Sequence, residues 1–368
     1  MIWLTWRQFR AQAITAAAAL AAFAILLATT ESHLSSMYDS SGLLTCHGGA
    51  CAGLASQFLD QLSSGGGSFL IPAGSTYMIL YFLSVLVILV APAITGVFWG
   101  APLIARELEA GTFRLTWNQS ITRTRWLAVK LALIGAAAMA VTEAFSLIQA
   151  WWAAPIGKAV GLGGGSSIFS EGRFGWFVFP THGITPLGYA AFGFALGVTA
   201  GLVIRRAIPA MAVTLAIFAA VQFITPLWIR PQLFPTSHTL TTITAAGASV
   251  SLRANPRLML TASAVPGQPG AWIISSEGVN AAGQPVSTIP ASCEPLVSDS
   301  LGSHRGFPSG PGSAALNNCV ASHGIRVAES YQPASHYWPL QWSETGMFLA
   351  LALALACYCF WRLNRRRS

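Results

Sequence analysis

Charge is what this sequence has least of. Only 9% of its 368 residues are Asp, Glu, Lys or Arg, whereas soluble domains average about 25%. That scarcity excludes an ordinary water-soluble globular protein. Lysine is nearly missing, with two residues against eighteen arginines; we attribute this, with the high Ala and Gly content, to genome base composition. The stretch from Glu31 to Thr76 has no Lys or Arg at all. No Gly-x-x-x-x-Gly-Lys-Ser/Thr phosphate loop occurs, and Gly157-Lys158 lacks the upstream glycine. ATP hydrolysis by that route is excluded for this chain. Zinc-protease, nucleophile-elbow and Cys-x-x-Cys patterns are missing too, which removes common hydrolase and redox readings.

Apolar runs take the place of charge. The chain is 54% hydrophobic with thirteen Trp and a mean hydropathy of +0.57. Six runs reach or approach the roughly 20 residues that cross a bilayer: about 13–29, 77–105, 126–154, 183–204, 208–229 and 345–361. The predicted fold is therefore an all-α polytopic membrane protein with six transmembrane helices. Residues 1–12 place Ile2, Trp6 and Phe9 on one face, which predicts an N-terminal interfacial helix running into the first span. A signal peptide is the competing reading, but the n-region is long and Trp-rich and lacks a small-x-small site. The second run is longer than needed, so tilt, a kink at Pro92 or a cytoplasmic extension is expected. Thr122 is placed to open the third span. The short Arg205-Arg206-Ala207 connection forces spans four and five into a hairpin. Gly193, Gly197 and Gly201 give span four a smooth face for close packing.

The segments between spans divide by composition. Residues 31–76 read as an external loop with a short helix near 53–62. Residues 155–182 read as an external connection with an aromatic patch of Phe174, Trp176, Phe177 and Phe179. Residues 230–344 form a larger external loop domain of mixed character, with strands near 258–265 and 271–275 and a turn at 280–284. Residues 345–368 supply the sixth span and a basic tail. With both termini cytoplasmic, thirteen of the twenty Lys and Arg fall inside: Arg7, Arg10, Arg106, Arg114, Arg123, Arg125, Lys130, Arg205, Arg206 and the four of RLNRRRS. That bias fits the positive-inside rule, with the tail as an anchor. It also places the net charge of +8 at the ends of apolar runs, which argues against a nucleic-acid partner.

Two features of these segments carry chemistry. Cys46 and Cys51 share the first external loop and Cys293 and Cys319 the large one, so an oxidising exterior favours two local disulfides. Metal binding by Cys46, His47 and Cys51 is the alternative there. Glu143 is the only charge read deep inside a span. An intramembrane acid suggests function, but without a second acid, His or Lys at its depth a structural role is favoured.

The densest polar island is Arg106–Lys130, RELEAGTFRLTWNQSITRTRWLAVK, with four Arg, one Lys and two Glu in 25 residues. Glu109-Ala-Gly111-Thr112 supplies a helix stop and then an N-cap. Phe113, Trp117 and Ile121 recur at i, i+4 and i+8, with Arg114, Asn118 and Gln119 off that stripe. A plain positive-inside loop anchored by Trp117 and Trp126 explains this pattern equally well. However, the order Arg-Glu-x-Glu-x-Gly-Thr, short amphipathic segment, Thr-Arg-x-x-Trp-Leu and Lys resembles the first cytoplasmic loop of type-two ABC transporter permeases. PLGYAAFGFALGVTAGLVIRRAIPAMAVTLAIFAAVQ and YQPASHYWPLQWSETG also resemble that family, in its branch from high-GC Gram-positive bacteria.

The resemblance implies a plasma-membrane permease that exports a hydrophobic or amphipathic substrate. It implies pairing with a second permease copy or paralogue, and driving by a separate ABC ATPase that binds ATP and Mg; this chain itself would hold no cofactor. The ATPase-coupling loop, 106–125, would comprise Arg106, Glu107, Glu109, Gly111, Thr112, Phe113, Arg114, Trp117, Gln119, Ile121, Arg123 and Arg125. The large loop between spans five and six departs from a pure exporter pattern. The rival reading is a membrane-bound sensor or assembly protein with a ligand-binding external domain. A membrane enzyme ranks third, because no catalytic residues cluster.

Overall fold

The structure, a computed structural model, describes residues 2–47, 50–63, 76–109, 122–162, 172–243, 248–252, 258–262, 265, 268, 270–286, 290–296 and 311–365. In lipid, backbone polar groups must be satisfied within a segment, so long apolar runs fold as helices. Among the described residues, six helices are long and apolar enough to cross a membrane: Phe9–Ser40, Thr76–Glu107, Thr124–Trp152, Thr185–Ile204, Ala207–Gln232 and Ala334–Arg365. The all-α polytopic class is what the structure shows.

Helix α1, Ile2–Ser40, runs unbroken from the N-terminal segment into the first span, as one rod. The rod also continues past Thr29. Leu27, Leu34 and Tyr38 recur at helical spacing and are buried against Phe58, Leu59 and Leu62 of α2, Ala50–Ser63. That apolar stripe keeps the Ser-rich segment helical while its polar residues face outward.

Span two is composite. Helix α3, Thr76–Ile94, contains Pro92 and passes into a π-helical segment, Thr95–Gly100, before α4, Ala101–Glu109. Proline removes a rung of the hydrogen-bond ladder, and the Thr95 hydroxyl donates back to the Pro92 carbonyl at 2.9 Å. Helix α5, Arg123–Trp152, starts at Thr122, whose hydroxyl accepts from the Arg125 N–H at 3.3 Å. A short α6, Ala154–Gly161, follows with Pro155 in its first turn.

Helix α7, Thr185–Ile204, is the centre of the bundle, buried along nearly its whole length. Its glycine face meets span two at the π segment. A Cβ on Gly197 would strike the Gly96 carbonyl, and one on Gly201 the Ala101 carbonyl. Reciprocally, one on Gly96 would strike the Gly193 carbonyl, and one on Gly100 would lie 2.6 Å from the Phe194 carbonyl. The two backbones touch because neither side has side chains to separate them. Helix α7 ends at Arg205, whose φ of 59° is left-handed, and Arg206 takes the N-cap position of α8, Ala207–Ile224, without a side-chain hydrogen bond to it. A second π segment, Thr225–Ile229, extends α8 to Arg230.

Between α8 and the last helix lies a small mixed α/β region. Strands β1 (Ser237–Thr242), β4 (Trp272–Val279) and β5 (Arg326–Gln332) form an antiparallel sheet in the order β1-β5-β4. Strands β2 (Ala248–Leu252) and β3 (Leu258–Ala262) pair separately. At the expected turn after β4, the Asn280 side-chain oxygen accepts from the N–H groups of Ala282 and Gln284 at 3.0 and 2.9 Å. Ile243, Cys293, Val320, Ile325 and Val327 form its core, with α9, Pro311–Ser322, on one side. Helix α10, Tyr337–Arg365, begins two turns before the expected 345. Tyr337, Leu340, Gln341 and Glu344 share its buried face, so it starts on polar as well as apolar contacts.

Candidate functional site

The start of the 106–125 segment is tied to two neighbouring helices. Glu107 pairs with Lys130 of α5, which is itself buried and lies 4.7 Å from the Trp126 ring centre. Glu109 Oε1 accepts the Ala207 N–H at 3.0 Å, capping α8 from another part of the chain. A carboxylate at a helix N-terminus satisfies an orphan donor and favours the macrodipole. Arg106 and Arg125 are exposed beside these contacts. Gly111, Thr112, Phe113, Arg114, Trp117, Gln119 and Ile121 lie outside the described residues, as does the side chain of Arg123.

Both termini converge on the same end. Phe9 meets Trp99 edge-on at 4.9 Å, and Gln12 donates to the Phe98 carbonyl at 3.2 Å. Leu363, near the C-terminal end of α10, joins the cluster of Phe9, Trp99, Trp126 and Leu202. The N-terminal helix, Arg106–Glu109, the start of α5, the Arg205-Arg206 turn and the last helix therefore share one basic end of the bundle.

At the opposite end sits a polar network that hydropathy reading missed. Arg230 and Glu344 are both fully buried and joined by two hydrogen bonds, Nε to Oε2 at 2.8 Å and Nη2 to Oε1 at 3.1 Å. The Tyr189 hydroxyl donates to Glu344 Oε1 at 2.9 Å, and the guanidinium lies 4.1 Å over Phe179. One turn away, Gln341 Oε1 accepts from the N–H groups of Ile184 and Thr185, each at 3.1 Å, closing the start of α7. The signal available in sequence was the i, i+3, i+4, i+7 spacing of Tyr337, Leu340, Gln341 and Glu344, which is a buried helical face.

The other candidate residues stand outside the basic end. Glu143 lies in the second half of α5, where Oε2 is buried with no hydrogen-bond partner among the described residues. No described acid, His or Lys joins it. Cys46 is disulfide-bonded to Cys51, with Cα atoms 5.4 Å apart, and Cys293 to Cys319 at 5.8 Å. His323 stands beside the second pair, but bonded sulfurs are not thiolates and offer no metal ligand. His182, between α6 and α7, donates from Nδ1 to the Val178 carbonyl at 2.9 Å. Burial holds its imidazole below the usual value, against the opposing pull of that carbonyl.

Residues 17–230, more than half of the chain, match the family model described as ABC-2 membrane transporter related. That match runs from within the first span almost to the end of the fifth, includes the 106–125 segment, and stops at the start of the mixed region. No curated relative and no solved structure matched the chain. With six membrane-length helices and this match, the chain belongs to the ABC-2 membrane transporter related family and is a multi-pass ABC-2-type permease.

Proposed function

We propose that the chain is the membrane subunit of an ATP-driven exporter, working as a dimer with separate ATPase subunits that bind ATP and Mg. The observation that carries this reading is the tethering of the 106–125 segment. Its start is fixed to α5 through Glu107–Lys130 and to α8 through Glu109–Ala207. A push on that segment is thereby delivered to three spans at once. The N-terminal rod, fixed to the π segment through Phe9 and Gln12, supplies a second lever. In this reading the basic end is cytoplasmic, as the positive-inside bias favours. Phe113, Trp117 and Ile121 would dock in an ATPase groove, flanked by Arg114, Arg123 and Arg125. The cargo is hydrophobic or amphipathic. An affinity for the high-GC Gram-positive branch rests on the quoted sequence segments alone.

Trp117→Ala tests the assignment. Aromatic anchors at interface centres commonly cost about 2 kcal/mol or more when truncated. The variant is expected to insert normally, to capture less ATPase or to leave ATPase turnover unlinked from efflux. A plain topogenic loop predicts the opposite: Trp117→Ala silent, and removal of several arginines disturbing orientation. Capture and efflux both unchanged at equal membrane expression would end the coupling role.

A further inference from the structure

A cavity of about 450 Å³ lies at the end of the bundle away from the basic face, between α3, α5, α6, the start of α10 and Gly270 of the mixed region. Its size is that of a small-molecule site. Tyr81, Ile156, Val160 and Tyr337 line it with apolar surface, and Lys158 and Arg173 stand at its exposed rim. Neither cation has an ion-pair partner among the described residues. Arg173 lies 5.1 Å over the Tyr337 ring and Lys158 5.9 Å from that of Tyr38. Among the described residues Lys158, Arg173, Arg230 and Arg326 lie away from the basic end, and two of these meet at this one cavity. The contrast with Arg230 is direct, since that residue is neutralised by Glu344.

We infer that this cavity binds an anionic amphiphile: one carboxylate or phosphate head held by Lys158 and Arg173, and one apolar chain lying along Tyr81, Ile156 and Tyr337. Two cations with no ion-pair partner among the described residues, set at the mouth of an apolar chamber, favour an anionic head over a neutral lipid or sugar, and a charge-assisted bond is about twice as strong as a neutral one. Burial of the chain adds the hydrophobic term. A bare anion would leave the apolar wall wet, so neither half of the site explains the other away. As a binding site the cavity stands alone; as a cargo site it rests on the exporter reading.

The test uses the full chain in phosphatidylcholine nanodiscs, with no ATPase present. Saturable binding of labelled dodecanoate is measured after subtracting empty nanodiscs, with dodecyl phosphate, dodecanol and inorganic phosphate as competitors. Dodecyl phosphate should displace at concentrations comparable to dodecanoate. Dodecanol should need at least about tenfold more, and inorganic phosphate should not displace. K158Q/R173Q should weaken binding about tenfold or more, and K158R/R173K should retain it. Equal competition by dodecanol would reduce the site to an apolar cleft and overturn the proposal. Displacement by inorganic phosphate would reduce it to an anion site and overturn it equally. The competitor series needs no variant, so poor folding of K158Q/R173Q leaves the result readable. Binding retained while Trp117→Ala efflux is normal would remove the coupling role and leave this site intact.

Discussion

Arg230 and Glu344, 114 residues apart in sequence, form a buried bidentate ion pair that clasps the two chain ends entering and leaving the mixed region. Removing one partner of such a pair leaves an uncompensated buried charge, which costs about 3–5 kcal/mol. Glu344→Gln and Arg230→Met should each lower the unfolding temperature sharply in detergent. The double variant Arg230→Met/Glu344→Leu should recover much of that loss, because well-packed apolar pairs often replace buried ion pairs at little cost. Additive losses in the double-mutant cycle would show that the two residues act independently.

Gly197 should tolerate no side chain. Its Cβ would collide with a backbone carbonyl, which cannot swing aside. Gly197→Ala is expected to cost about 1–3 kcal/mol through forced separation of the helices. Gly346 on α10 has open space around it, so Gly346→Ala should be neutral or mildly stabilising. Thermal unfolding of both in parallel checks the contrast, and matched losses would refute the close contact.

Glu109 has a structural duty besides any role toward an ATPase. Glu109→Ala frees the Ala207 N–H and should cost about 1 kcal/mol of stability without any partner present. Glu109→Gln keeps an acceptor and should lose less. A purely interfacial role predicts both variants to unfold like the parent when the ATPase is left out.

The mixed region should respond to pH through Glu329. Burial raises its carboxyl above the usual carboxylate range, with the Thr241 hydroxyl pulling the other way. A folded-state value above the unfolded one means that the folded form holds the proton longer. Stability is therefore fullest below the ordinary glutamate range and declines as pH rises through the raised value. Glu329→Gln should flatten that decline and stabilise the region at neutral pH. A disulfide-intact protein whose variant and parent show parallel melting curves from acid to neutral pH would contradict this.

Much of the membrane architecture was legible because hydrocarbon permits so few backbone solutions. Span three opens at Thr122, spans four and five turn at Arg205-Arg206, and the Gly193/Gly197/Gly201 face packs closely, all readable from residue type and spacing. The misreadings share one cause. Hydropathy averages over all faces of a helix, so it discards helical turns whose buried face is polar or whose outer face is serine-rich. The first two turns of α10 were lost that way, with Gln341 and Glu344, as was the end of α1 beyond Thr29. The Arg230–Glu344 pair joins distant segments, and a single sequence carries no signal linking them. Of the candidate coupling residues, Glu107 and Glu109 read as island charge, whereas their carboxylates serve Lys130 and α8 within the chain.

The π segment Thr95–Gly100 gives span two a phase slip. A wider turn carries one residue more than an α-turn, and each residue is worth about 100° of rotation. Drawn back into α-helical register, the stretch from Ala101 to Glu109 would swing through about that angle relative to α3. Gly96 and Gly100 would turn off the carbonyls of α7, and Glu107 and Glu109 would leave Lys130 and Ala207 together. The π segment thus sets, by one residue of helical phase, which face of Ala101–Glu109 is presented to α7, Lys130 and Ala207 together.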